Sequence, residues 1–263
     1  MKKKILQILN LITLLIAIGI NYFINARQNG GASISEISDK YENLLTPADY
    51  AFGIWGLVYL ALVAFAVYQL RDLFIKNATS NIALKIGWWF VIANLANASW
   101  GIAFRNEAVG LSLLIMIILF FSLIKIVSSL NMEKWDAPIS IIAFVWWPLS
   151  IYFGWITVAL VANTSTYLTA LGWSGSPLHP ATWAIIVLLF AAIVFITMIW
   201  TRNMREYALA GVWGIVAIGV KNWDSNQLVA YVSVIMALAI FINITVHAYK
   251  NRHASPLNWM KKN

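Results

Sequence analysis

The sequence predicts an all-α fold, a polytopic integral membrane helix bundle with eight spans. Three observations predict it. Of 263 residues, 61% are hydrophobic and 11% are charged, and the mean hydropathy is +0.77; a soluble domain carries roughly 25% charge and 45–50% apolar residues. The apolar residues gather in runs of about 20, the length that crosses a bilayer. The lysines and arginines fall between the runs, mostly on alternate sides. This composition argues against a soluble enzyme, a disordered chain and a nucleic-acid-binding domain. With no cysteine, the chain has no disulfide framework, no thiolate metal site and no thiol nucleophile.

The runs cover residues 5–23, 51–70, 82–104, 108–130, 138–162, 181–200, 207–220 and 228–249. The first follows Lys2, Lys3 and Lys4, as in a signal peptide. It is longer than an ordinary signal-peptide core, and no small-x-small cleavage site follows, so it reads as a mature helix. The seventh is the shortest and carries Gly211, Gly214 and Gly219; Gly211 and Gly214 indicate close helix packing. The runs take up more than half the chain and leave little for a soluble domain. Two connectors are long. Residues 25–50 are polar and acidic, ending in Thr46-Pro47, and residues 163–180 carry Gly172, Gly175, Pro177 and Pro180. Each fits a lid over a membrane cavity or a simple connector.

Charge placement tests the count. With the N-terminus inside and strict alternation, the inner segments hold Lys2, Lys3, Lys4, Arg71, Lys76, Lys85, Lys125, Lys134, Arg202, Arg205, Lys250, Arg252, Lys261 and Lys262. The outer segments hold Arg27, Lys40, Arg105 and Lys221, so 14 of the 18 cations lie inside. This is the bias of cytoplasmic loops. It predicts an inner-membrane protein with both termini cytoplasmic. The net charge of +8 is then a topology signal with some attraction to anionic lipid, and no nucleic-acid partner is expected.

A charge at mid-membrane is costly and usually functional. Here every Asp, Glu, Lys and Arg lies in a connector or within about a turn of a run's end. A proton relay and a carboxylate-coupled ion transporter lack their parts. His179, His247 and His253 are scattered and make no metal site. No phosphate loop or catalytic triad appears, so no catalytic residue and no enzyme activity are expected.

What the runs contain is aromatic: 14% of the chain, with 14 tryptophans. Trp55 and Tyr59 are four apart, on one helical face. Asn97, Trp100 and Phe104 share a face of the third run. Trp155, Ala159 and Asn163 do so in the fifth. An amide inside a bilayer needs a partner, so Asn94 and Asn97 should face protein or a cavity. Flat aromatics beside small residues can line a slot for a large planar ligand. The same pattern also fits plain helix packing, where Ala, Gly and Asn are common.

These three patches resemble the signature segments of the TspO/translocator-protein family, the tryptophan-rich sensory proteins. In Thr46-Pro47-Ala48-Asp49-Tyr50-Ala51-Phe52-Gly53-Ile54-Trp55-Gly56-Leu57-Val58-Tyr59 the proline, the later Trp and the Tyr keep the family's spacing. Asn97-Ala98-Ser99-Trp100, followed by Phe104, is similar to its third helix. Trp155-Ile156-Thr157-Val158-Ala159-Leu160-Val161-Ala162-Asn163 is similar to its fifth. Gly53 stands where the family has proline, and Val158 where it has phenylalanine.

The resemblance covers about residues 5–163 and implies a five-helix bundle with a ligand cavity toward the first loop. It implies binding of a hydrophobic small molecule: porphyrins and other tetrapyrroles, sterols, or isoquinoline and benzodiazepine drugs. It implies transport, stress sensing or light-dependent porphyrin breakdown. A tetrapyrrole would be a ligand, and no resident cofactor or metal is implied. Family members are commonly dimers. On this reading residues 1–163 are the bundle and residues 164–263 a three-helix extension, either separate or integrated, which covers a dimer surface within one chain; both homodimer and monomer stay open.

The function expected is binding of a planar, tetrapyrrole-like ligand for sensing or transport, with Trp55, Tyr59, Asn97, Trp100, Phe104, Trp155, Ala159 and Asn163 lining or supporting the cavity. The alternatives are a transporter or flippase of lipid-like molecules, with the glycine-rich seventh span as a moving element, and a porphyrin-oxidising enzyme.

Overall fold

The computed structural model describes residues 1–26, 32–75 and 81–252. Arg27, Lys76, Lys261, Lys262 and His253 lie outside the described residues. Every regular element among the described residues is helical. Eight helices run 17 residues or longer: α1 (Lys2–Asn25), α3 (Ile54–Leu70), α5 (Trp89–Arg105), α6 (Val109–Ser129), α8 (Trp147–Ala170), α9 (Pro180–Arg202), α10 (Arg205–Lys221) and α11 (Gln227–Lys250). Three short helices join them: α2 (Ile34–Lys40), α4 (Ile82–Ile86) and α7 (Ile139–Ile141). Six spans, counted with their lead-in turns, are long and apolar enough to cross a membrane. The other two long helices, α5 and α10, have 17 residues each, about 25 Å of helix and the lower limit for a span. The chain is a multi-pass membrane protein.

Two expected boundaries need correction. The run over 82–104 is broken at Gly87, whose φ of +60° is open to glycine at little cost; α4 ends there and α5 starts afresh. The run over 138–162 continues to Ala170, so Asn163 is mid-helix and the connector begins later. The polar stretch is compatible with a helix there because its hydroxyls find partners on the helix itself. Thr164 Oγ1 donates to the Leu160 carbonyl at 2.7 Å, and Thr169 Oγ1 to that of Ser165 at 3.0 Å. The first connector also holds structure. Ser33 and Glu36 form a capping box that starts α2.

Five helices close a ring: α1 packs on α3 and α5, α5 on α6, α6 on α8, and α8 back on α3. Helix α10 lies against α8 outside the ring, and α9 and α11 pack on α10 and on each other. One continuous buried core runs through both parts. The glycines of α10 are contact points, and the helix runs unbroken past them. A Cβ at Gly211 would lie 2.5 Å from the Phe195 ring, and one at Gly214 2.5 Å from Val158. Close approach through small residues holds helices together in lipid, where apolar burial gives little drive.

The alternation of sides is visible in the contacts. At the first-loop end, Lys40 pairs with Glu107 at 2.6 Å and Lys221 with Asp39 at 2.8 Å. At the opposite end, Lys3 pairs with Asp72 at 2.7 Å, and Asn203 Nδ2 donates to Glu133 at 2.8 Å. Each contact joins connectors assigned to the same side.

Glu133 has a measurable consequence. Burial, and then the charge of Glu206, push its pKa up to about 8, from an ordinary value of 4.5. Between these values the folded chain holds a proton that the unfolded chain releases. Stability therefore falls as pH rises through that window. Glu133→Gln should lose this slope and exceed wild type by about 1–2 kcal/mol near pH 8. Parallel melting curves for the two proteins near pH 5 and pH 8 would refute it.

Candidate ligand-binding site

The interior of the ring is built around Trp55. The chain reaches it through Thr46, itself buried, then Pro47 and a 3-10 turn at Asp49–Gly53. Helix α10 clamps that turn. The Ala48 N–H donates to the Ala217 carbonyl, and Trp213 Nε1 to the Ala51 carbonyl, both at 3.0 Å. Tyr50 meets Trp213 edge-on at 5.3 Å. The start of α3 is thus fixed from outside the ring.

One turn apart, Trp55 and Tyr59 stack with centroids 5.2 Å apart and planes at 23°. Trp55 also reaches Trp100 at 6.3 Å, Tyr152 at 6.2 Å and Trp155 at 6.3 Å. Trp100 stacks on Phe104 at 5.4 Å, and Phe52 meets Trp155 edge-on at 6.3 Å. Such pairs contribute about 0.5–1.5 kcal/mol each beyond burial.

Amides brace this cluster. Asn97 Nδ2 donates to the Tyr152 hydroxyl at 3.0 Å, and its Oδ1 accepts from Asn21 Nδ2 at 3.2 Å. Trp100 Nε1 donates to Asn163 Oδ1 at 2.9 Å, and Asn163 Nδ2 donates to Ser112 Oγ at 3.1 Å. Asn94 Nδ2 donates to Thr13 Oγ1 at 3.2 Å. Both Asn94 and Asn97 thus turn to neighbouring helices, away from lipid.

The structure brings seven of the eight candidate residues into one aromatic and amide cluster. Ala159, half-buried, packs against the same core. Trp155 Nε1 is buried in the cluster with no hydrogen-bond partner, and the buried Tyr59 hydroxyl has the Asn97 side chain beside it. The rings touch one another, so a planar occupant would replace these contacts. Among the described residues there is no group of three His, Asp or Glu arranged to hold a metal.

Sequence reasoning passed over four members: Phe52, Tyr152, Asn21 and Ser112. Tyr152 lies three residues before Trp155, which places it on the same face. Asn21 belongs to a face of α1 that also carries Gln7, Asn10 and Thr13, all buried. That three-and-four spacing of polar residues in an apolar run was a readable signal. Ser112 had none.

The closed five-helix ring and its tryptophan core meet a specific match. The TSPO-like protein family matches this chain over residues 7–246. The chain belongs to the TSPO-like protein family. The match runs well past Asn163 and takes in α9, α10 and most of α11, so the likeness is wider than the three signature segments implied. No curated protein and no solved structure compared with the chain matches it.

Proposed function

We propose that this TSPO-like membrane protein binds a hydrophobic, planar, tetrapyrrole-like molecule inside the five-helix ring, for sensing or transport. One observation carries the reading. The aromatic cluster around Trp55 holds a buried donor, Trp155 Nε1, with no hydrogen-bond partner. A buried unpaired polar group costs about 1–3 kcal/mol. A flat ligand with polar edges would stack on the rings and accept from this donor. Gly53 and Gly56, where an added Cβ would meet nothing within 4 Å, leave the outer face of α3 open beside the stack. The lysine and arginine asymmetry supports cytoplasmic termini, and with them a site nearer the outer surface.

The test is quenching of tryptophan fluorescence by protoporphyrin IX, in detergent and in the dark. Saturable quenching is expected for the wild type. Trp155→Leu removes a wall of the site, and Ala159→Phe fills space beside it. Each should weaken binding at least about tenfold, the loss of one good contact; Trp155 is fully buried, so its replacement also lowers the melting temperature, and Ala159→Phe is the variant expected to leave it little changed. Equal affinity in all three proteins would remove the ligand from the ring. Illumination of the bound sample adds an arm: a cleaved tetrapyrrole product would make the protein an enzyme.

A further inference from the structure

A concavity lies outside the ring, on the outward side of α1 and α5 at the first-loop end. It has a volume of about 550 Å³, and its lining includes Gly19, Ile20, Phe23, Ile24, Ile102 and Arg105. Its walls are apolar and face the bilayer: Phe23 is 60% exposed and Ile102 46%. Gly19 forms part of the floor, and an added Cβ there would meet nothing within 4 Å. The volume is within the range of small-molecule sites, about 300–1,000 Å³.

Arg105 gives this groove a chemistry. It lies in the last turn of α5, at the level where headgroups begin. The nearest carboxylate along the chain, Glu107, is taken. Lys40 Nζ reaches its two oxygens at 2.7 and 2.6 Å, and the Tyr41 hydroxyl donates to it at 2.8 Å. Among the described residues Arg105 forms no ion pair. The groove thus presents an apolar trough ending in a guanidinium uncommitted among those residues, and it opens sideways to lipid. A guanidinium matches the geometry of a phosphate and binds it through two donors.

We infer that this groove is a binding site for an anionic phospholipid of the leaflet at the first-loop end. The phosphate sits on Arg105, and the first part of an acyl chain lies along Gly19 between Phe23 and Ile102. A bilayer lipid is the occupant because the trough opens to the membrane and Arg105, the cation among its described lining residues, stands at the end of α5. The site is separate from the tryptophan cluster, so porphyrin quenching and lipid binding succeed or fail independently.

The experiment is intact-protein mass spectrometry of the full chain in detergent, titrated with phosphatidylglycerol and, in parallel, phosphatidylcholine of the same chains. One saturable phosphatidylglycerol adduct is expected, with about tenfold preference, the size of a charge-assisted hydrogen bond. Arg105→Gln should remove the preference. Gly19→Phe should remove the adduct and leave the melting temperature unchanged, since its side chain enters open space. Ile102→Trp is a second filling variant, used if Gly19→Phe melts early. Any of four results would overturn the site: equal adducts from both lipids, an adduct that survives both filling variants, displacement by inorganic phosphate alone, or a dimer lost on filling the groove with no lipid adduct.

Discussion

Gly154→Ala is expected to loosen the joint between the five-helix ring and the helices outside it, at a cost of about 3 kcal/mol. A Cβ at this position would lie 2.2 Å from the Tyr207 carbonyl oxygen, 2.9 Å from its carbonyl carbon and 3.0 Å from the Ala210 Cβ. The first two are backbone atoms of α10 and cannot rotate away. Relief requires α10 to move off α8, and overpacking of this kind costs about 1–3 kcal/mol, sometimes more. Movement of α10 also frees what it clamps. Trp213 and Ala217 hold the turn that delivers Trp55, so the strain reaches the aromatic cluster along two hydrogen bonds. Gly56→Ala is the control, since its Cβ would enter open space. Melting of both variants in detergent, followed by tryptophan fluorescence, decides the matter. Equal melting temperatures for Gly154→Ala and Gly56→Ala would mean that the α8–α10 contact is not tight.

The same seam explains which parts of the molecule were legible in the sequence. Apolar runs and the placement of 18 cations are local properties, and they located every long helix. Trp55, Trp100 and Trp155 were legible because a helix repeats its face every three or four residues and each had an amide, a small or a further aromatic neighbour in that register. Tertiary contacts were not legible. Nothing in the order of residues 205–221 says that Gly211 receives Phe195 while Gly214 receives Val158. The glycines themselves read as sites of close helix packing, which they are, but the partner each receives could not be read. Asn163 looked like the first residue of a loop. Its amide is satisfied by Trp100 and Ser112, and the hydroxyls after it bond back to the helix. A polar stretch that satisfies itself in this way can stay helical, and composition alone does not reveal it.

Trp55→Ala should have the largest effect on the site and a large one on the fold. Trp55 is in contact with Tyr59, Trp100, Tyr152 and Trp155, while no other candidate ring meets as many of them. Removing it deletes four ring contacts at about 0.5–1.5 kcal/mol each. In lipid there is little hydrophobic gain to lose as well, and partial collapse recovers some contact, so the expected cost is about 2–4 kcal/mol. Trp55→Phe separates the two roles. A phenyl ring can still fill much of the space between Trp100 and Trp155, so most of the melting temperature should return. It offers a smaller face to a planar ligand, so protoporphyrin affinity should stay at least about tenfold below wild type. The pair of outcomes is diagnostic. If Trp55→Phe regains both stability and affinity, the ring was needed for packing alone. If stability returns and affinity does not, the indole face itself is part of the site, and the stack on Tyr59 is the surface that a ligand meets first.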